Sequence, residues 1–484
     1  MITPTYQEVQ QLAKEHNLVP ICKEIFADIV TPISILRKIL NTSKKNFLLE
    51  SVEGGEKWGR YSFIGFDPIV HITCKNKRIM RDNKEVAVVD ASNPYSYLRS
   101  VLSHYKAPKL PEMPPFTGGF VGYFSYEMIG YTEPSLNLKG NDCHDFDLML
   151  FDKVIVYDHL KQKINLIVNM RTDKLQENYE EAISNLESLA RLISEPVTLS
   201  GKSSKLMPSF TCNKSKDEFC RMVEQTKKHI IDGEIFQAVI SRRFETEYKE
   251  GLINAYRVLR TTNPSPYMVF LKSEDMELIC SSPETMVRLK DGKLTTFPIA
   301  GSRPRGANRE EDEVFIKELL ADEKELSEHN MLVDLGRNDI GRVSEYGSVK
   351  VTDYMRIQKY SKILHISSEV EGRLKEGKDA FDAIEALLPA GTLSGAPKIR
   401  ACEIIEELEK SPRGVYGGAI GYIDFTGNMD TCIAIRMAVK KQNKVYIQAG
   451  AGIVADSVAE REYEESEYKA RALMEALEQA HEME

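Results

Sequence analysis

A chain of 484 residues, 42% hydrophobic and 28% charged, can bury a large core and has length for roughly two to four domains. Its 73 acidic against 64 basic residues leave a formal charge of −9, which disfavours nucleic acid as the main partner, and no apolar run approaches the about 18 residues of a membrane span. The cysteines at 22, 74, 143, 212, 220, 280, 402 and 432 lack CxxC or zinc-ligand spacing, and MITPTYQEVQQLAKEHN lacks a basic-then-apolar leader pattern, so a soluble cytoplasmic protein with reduced thiols is expected.

Taken in chain order, the first 195 residues read as a β-rich region. NFLLESVEGGEKWGRYSFIGFDP (46–68) predicts a strand, a Gly-containing turn and a second strand that Pro68 interrupts. TGGFVGYFSYEMIGY (117–131) is Gly-aromatic, the mark of strands whose backbones approach closely. NYEEAISNLESLARLI (178–193) has apolar residues at helical spacing. The Ser-, Pro- and Lys-rich stretch that follows, 196–213, reads as a linker to a second region, 214–484.

That second region opens with a helix, KDEFCRMVEQTKKHIIDG (216–233), stopped by Gly233. Residues 415–450 predict an antiparallel meander: VYGGAIGYIDF, a TGN turn, TCIAIRMAVKK, a QN turn and KVYIQAG. Helices are expected at 377–387 and 458–480. The order of elements lacks a regular βαβ beat, so the fold class is α+β with helices covering antiparallel sheets.

Several segments carry chemistry. In the last helix Ala459, Tyr463, Ala470, Leu473 and Leu477 form the apolar stripe, and Glu462, Glu465 and Lys469 line one flank of it. ADEKELSEHNMLVDLGRND sets Glu325 and Glu328 at the same i, i+3 spacing. Such pairs are ordinary on solvated helix faces, but two of them from distant segments can also make a hard-oxygen Mg²⁺ site. QAGAGIV (448–454) and PAGTLSGAPKIR (389–400) offer bare backbone N–H groups to an anion, the second running into a helix N-terminus, and neither fits a dinucleotide or P-loop fingerprint. Plain turns remain the alternative for both. Arg436, read as sharing a strand face with Cys432, Ala434 and Ala438, could grip a carboxylate or sit in an ion pair. His365 alternates with Ser367, Glu369 and Glu371 along a strand, a structural place or an acid–base one.

SSPE (281–284), PIAGSRPRG (298–306), EHNMLVDLGRNDIGRV, HISSEVEG, LPAGTLSGAPK and QAGAGIVADSVAEREYEESEYKA occur in one order, and with LLES near the N-terminus they resemble the chorismate-utilising enzymes, in particular the large synthase subunits of anthranilate synthase. The resemblance covers about 214 to 475 and implies a four-layer αββα core with orthogonally packed antiparallel sheets. It implies Mg²⁺ at Glu328 and Glu465, with Glu325 and Glu462 reaching the ion directly or through water. It implies chorismate at Gly301, Ser302, Tyr416, Arg436, Gly450, Ala451, Gly452 and Lys469, a catalytic pair His365 and Glu284, and a substrate-side hydroxyl at Thr392. Ser302 departs from the family's usual Thr but keeps the hydroxyl. His365 is expected to be the acid–base group nearest the departing ring hydroxyl.

Two positions separate the branches of that family. EIFQAVISRR carries Gln237 where the water-using branch has a lysine base, and PIAGS carries Ala300 where the aminodeoxychorismate branch has a nucleophilic lysine. Ammonia is then the expected nucleophile, giving anthranilate and pyruvate, the first step of tryptophan biosynthesis. With no amidotransferase module in the sequence, a separate glutaminase subunit and a hetero-oligomer are expected. Glu50 and Ser51 of LLES, with Pro266, Tyr267 and Met268 of NPSPYM, match the family's L-tryptophan inhibitor site. An aminodeoxychorismate synthase of the para-aminobenzoate branch, lacking its lysine, and a non-catalytic amino-acid-binding regulator on the same fold stay open.

Overall fold

A computed structural model of the chain describes residues 2–51, 59–89, 93–140, 142–196, 207–360 and 363–482. The predicted turn at 52–58, with Trp58, and residues 197–206 of the predicted linker lie outside the described residues.

Strands of the described residues pair antiparallel throughout and build two sheets, of thirteen and twelve strands. Each sheet takes strands from both the early and the late parts of the chain. In the first, Asn46–Glu50 pairs with Tyr267–Lys272, which pairs with Met276–Ser282, then Met437–Lys441, Lys444–Ile453 and Gln237–Glu247. In the second, Gly119–Phe124 pairs with Ala419–Asp424, which leads through Met429–Ile433 and Thr285–Lys290 to Lys293–Thr296 and Ile363–Arg373. The strand Ile299–Pro304 lies at the far edge, beside Ile363–Arg373.

Alternation along the strands explains the layering. Phe47 and Leu49 pack with Val121, Tyr123, Ile420 and Cys432 between the sheets, whereas Leu48, one residue away, joins helix residues such as Leu36, Leu186 and Leu477 on the outer face of the first sheet. Phe120 and Phe124 likewise turn outward from the second sheet to meet Leu98, Phe381 and Ile384. The result is helix, sheet, sheet, helix: one apolar layer between the sheets and one under each set of helices.

Most predicted elements form. The helix predicted at 178–193 spans Leu175–Ser194, and that at 216–233 spans Lys216–Ile231, opened by a Ser215–Glu218 capping box and followed by Gly233 at φ +78°. The last helix is Ala459–Gln479, and the helix expected at 377–387 begins three residues later, at Ala380, because Asp379 caps it. The meander at 415–450 is different. It is two hairpins in two sheets: Ala419–Asp424 with Met429–Ile433 in the second sheet, and Met437–Lys441 with Lys444–Ile453 in the first. TCIAIRMAVKK is therefore not one strand. It breaks between Ile433 and Met437, where Arg436 takes φ +47° and the chain crosses between sheets. The expected common face of Cys432, Ala434, Arg436 and Ala438 does not exist; Cys432 and Ala434 lie between the sheets, and Ala438 lies on the outer face of the first. Period-2 reasoning cannot see a residue of positive φ that reverses the alternation. Among the described residues no helix is long and apolar enough to cross a membrane.

Candidate active site

The chain gathers its chemical groups where the two sheets meet the helices Glu323–Gly341 and Ala459–Gln479. Glu284 follows the strand Met276–Ser282 of the first sheet and immediately precedes Thr285–Lys290 of the second. Thr392, in the Gly-rich turn Gly391–Leu393, donates its hydroxyl hydrogen to Glu284 Oε1 at 3.0 Å. Burial pushes the Glu284 carboxyl up to about 7, against the opposing pull of Thr392, Arg436 and Lys469. A carboxyl so placed carries a proton for much of the time near neutrality.

His365 stands on Ile363–Arg373, with its Nδ1 3.0 Å from the Gly301 carbonyl oxygen. A carbonyl only accepts, so Nδ1 carries the hydrogen and Nε2 keeps its lone pair. Burial lowers the His365 pKa, the Gly301 contact opposes it, and the nearby Arg436 lowers it further, so the ring is neutral at pH 7. The Gly301 carbonyl is turned to the ring by a bulge between Ala300 and Ser302, with Gly301 at φ +68°. A Cβ there would stand 3.1 Å from Glu325 Oε2, so the same glycine brings the loop close to the first acidic ridge. Ala300 is buried and Ser302 is exposed at the rim. The arginines of PIAGSRPRG brace this edge: Arg303 pairs with Asp322 at 2.8 Å and Arg305 with Asp312 at 2.7 Å.

Arg436 stands close enough to Glu284 and His365 for its charge to act on both. Among the described residues no carboxylate lies within ion-pair distance of its guanidinium. Burial lowers its pKa, while Tyr468, Glu284 and Cys280 raise it. Gly450 and Gly452 line the same side of the first sheet, and the Gln237 amide nitrogen sits 2.7 Å from where a Cβ on Gly452 would stand. The Gln237 Oε1 is buried with no hydrogen-bond partner among the described residues. Lys469 donates to the Gly450 carbonyl oxygen at 3.1 Å and pairs with Glu465 at 2.7 Å. Ala451 turns its methyl outward into the helix-facing core, so it can offer the site only its backbone. Tyr416 is buried beside Arg413, in the wall of a second cavity of about 360 Å³.

The two acidic ridges face each other. Glu325 and Glu328 lie on Glu323–Gly341, and Glu462 and Glu465 on the last helix. Burial raises the Glu328 carboxyl, and the fields of Glu325 and Glu465 raise it further; burial also raises Glu462, Ser457 opposes it, and Glu465 adds to it. Those four carboxylates therefore repel one another across a gap, the condition a divalent cation relieves, and an all-carboxylate oxygen set suits Mg²⁺. Among the described residues no three side chains already stand close enough to one another to cage an ion.

A larger cavity has a volume of about 790 Å³, and Glu50, Ser51, Pro266, Tyr267 and Met268 all line it. Glu50 is buried and held by Arg260, by Tyr256 Oη at 2.9 Å and by Ser62 Oγ at 3.1 Å. Arg288 and Asp430, also in this wall, were not singled out by sequence. The available signal was a charge inside each of two strands, Arg288 within TMVRLK and Asp430 within MDTCI, and these two side chains pair 3.0 Å apart here.

The chain is similar to known proteins along its whole length. A family model described as chorismate binding enzyme matches residues 44–475. Anthranilate synthase component 1 of Acetivibrio thermocellus is 48% identical, with all of both chains covered. The crystal structure of anthranilate synthase component I from Streptococcus pneumoniae TIGR4 superposes with a TM-score of 0.79 at 36% identity, over 93% of this chain and 99% of that one. The menaquinone-specific isochorismate synthase of Escherichia coli, at 18% identity and a TM-score of 0.71 over 97% of this chain and 98% of its own, shares the fold.

Proposed function

The chain belongs to the chorismate-binding enzymes, and on that premise we propose that it joins chorismate to ammonia and releases anthranilate, pyruvate and water. The observation that carries this reading is Arg436, a half-buried cation with no carboxylate within ion-pair distance among the described residues, beside Glu284 and His365 and across from two acidic ridges. A small dianion with a leaving hydroxyl answers each of those features.

Arg436 and the backbone N–H groups around Gly450, Ala451 and Gly452 hold one carboxylate and orient the ring, with Lys469, Tyr416, Gly301 and Ser302 closing around it. Mg²⁺, held by Glu328 and Glu465 with Glu325 and Glu462 directly or through water, would supply Lewis-acid polarisation at the ring carboxylate. Glu284, protonated near neutrality and oriented by Thr392, donates its proton to the departing ring hydroxyl, which leaves as water. His365 is neutral with Nε2 free, so it accepts a proton, the one lost from C2 as pyruvate leaves and the ring becomes aromatic. This divides the roles differently from the sequence-based expectation, which put His365 at the hydroxyl. The proton inventory favours the carboxyl as donor.

Ammonia is the nucleophile this pocket favours. Ala300 offers no nitrogen for covalent capture, and the Gln237 amide is no base. The relatives' printed name, component 1, supports a second component, and a glutaminase subunit as the ammonia source fits it. L-tryptophan, as inhibitor, fits the larger cavity, whose volume suits an aromatic amino acid.

These assignments set one expected result. The purified chain with chorismate and Mg²⁺ turns over with ammonium salts and not with glutamine. Equal rates on glutamine with no second protein present would refute the separate source. Chorismate-independent binding of amino acids, with no turnover on any nitrogen source, would favour a regulator on this fold.

A further inference from the structure

The Gly-rich turn that carries Thr392 is held from inside the protein by a buried arginine. Arg413 follows the helix Lys398–Glu409 and is 4% exposed. A guanidinium that far from water is tolerated only where its hydrogens find acceptors. Nε and one Nη donate to the two oxygens of Glu409, at 3.0 and 2.5 Å, a bidentate pair with a carboxylate that is itself buried. Two further hydrogens go to main-chain carbonyls, those of Leu393 at 2.5 Å and Val239 at 2.6 Å. The rings of Tyr126 and Tyr416 lie against the guanidinium, with centroids 4.7 and 5.8 Å away.

Both carbonyls belong to elements of the site. Leu393 is the residue after Thr392, whose hydroxyl donates to Glu284. Val239 lies two residues beyond Gln237, and its N–H donates to the Ser394 carbonyl oxygen at 2.9 Å. Arg413 therefore grips both sides of the seam between the turn Gly391–Leu393 and the strand Gln237–Glu247. The grip is itself anchored. Glu409 Oε1 accepts the N–H and the hydroxyl of Ser241 at 2.7 and 2.8 Å, and Ser241 Oγ accepts from the Gln448 amide at 2.8 Å, on the strand that leads to Gly450. The Arg413 main-chain N–H donates to Glu127 Oε1 at 2.7 Å.

We propose that Arg413 is a positioning residue for the reaction at Glu284: by holding the Leu393 carbonyl against the strand Gln237–Glu247 it keeps the Thr392 hydroxyl on Glu284, and Glu409 serves to fix Arg413. The proposal rests on the reading above that Glu284 is the proton donor. Lysine is no substitute, because an ammonium has three donors and no fork, and cannot meet both Glu409 oxygens and both carbonyls. The contact also leaves a signature in pH. The Thr392 hydroxyl lowers the Glu284 carboxyl, as do Arg436 and Lys469, all against burial. Losing Thr392 alone from that set raises the carboxyl, so its acid form survives to higher pH.

Three variants of the full chain test it, assayed with chorismate, Mg²⁺ and ammonium: Thr392→Val, Arg413→Lys, and Arg413→Met combined with Glu409→Gln. The last removes both buried charges together, which proteins tolerate far better than the loss of one, so it stays informative where Arg413→Lys fails to fold. Circular dichroism identifies the folded variants. Arg413→Lys should lower kcat about tenfold or more, with the chorismate KM within about threefold. In the parent chain the rate per free ammonia falls as Glu284 loses its proton, on the alkaline side of about 7. Arg413→Lys and the charge-free pair should move that fall upward by about half a pH unit or more, the size of one lost hydrogen bond. Thr392→Val should move it in the same direction, and adding Arg413→Lys to Thr392→Val should move it no further. Folded Arg413 variants with parental kcat would overturn the proposal. So would slow ones whose alkaline fall stays in place, the mark of a purely structural residue. An alkaline fall unmoved by Thr392→Val itself would bring down the Glu284 reading, and this proposal with it.

Discussion

Glu328→Gln should cost chorismate turnover about a thousandfold or more, because a metal's charge stabilisation is worth several kcal/mol and each 1.36 kcal/mol is a factor of ten. Glu328 is the cleaner probe of the two proposed central ligands. Among the described residues it makes no ion pair, whereas Glu465 is bound to Lys469 at 2.7 Å, so Glu465→Gln removes two interactions at once. Burial first, and then the fields of Glu325 and Glu465, raise the Glu328 carboxyl, and the neutral amide relieves both that desolvation and that repulsion. The folded chain should therefore be no less stable without metal, while its Mn²⁺ affinity, read by calorimetry or electron paramagnetic resonance, falls with activity. Intact turnover in both Glu328→Gln and Glu465→Gln would place the ion elsewhere.

Glu284→Gln should lower kcat by about 10² to 10⁴, the span of a lost general acid. The sign of its pH dependence follows from burial. The Glu284 carboxyl is raised to about 7, so its acid form dominates below that pH and is lost as pH rises through it. In the parent chain the rate expressed per free ammonia should fall on the alkaline side of about 7. That correction matters because free ammonia itself rises with pH. The Glu284→Gln variant should be slow and lack this limb. A variant that is slow but keeps the same alkaline fall would assign the titration to another group.

Much of this site was legible because it is written in local spacing. The i, i+3 acidic pairs lie on helices whose caps and stripes are plain, Asp322 opening one and Ala470, Leu473 and Leu477 burying the face of the other. The alternation around His365 also held, since that strand runs unbroken from Ile363 to Arg373. What failed was continuity. Arg436 reaches the site because the chain changes sheets at a residue of positive φ, and TCIAIRMAVKK looks like any other strand. Non-local pairs were equally hidden. Arg288 and Asp430 lie 142 positions apart, and Tyr267 meets Thr285 only through the meeting of strands from two sheets. The segment PIAGSRPRG carries two arginines that look like anion ligands, yet both are consumed by Asp312 and Asp322, whereas Arg436 makes no ion pair among the described residues. Charge pattern gives the number of candidates, and only the fold shows which of them are already paired.

The central claim is that ammonia is added to chorismate at the carbon next to the ring carboxylate, with pyruvate lost from the same molecule. Purified chain, chorismate, Mg²⁺ and an ammonium salt, followed by chromatography with fluorescence and mass detection, tests it most directly. Ortho-aminobenzoate with one pyruvate per ring is the predicted result; an amino group para to the carboxylate, with the enolpyruvyl side chain retained, would contradict it.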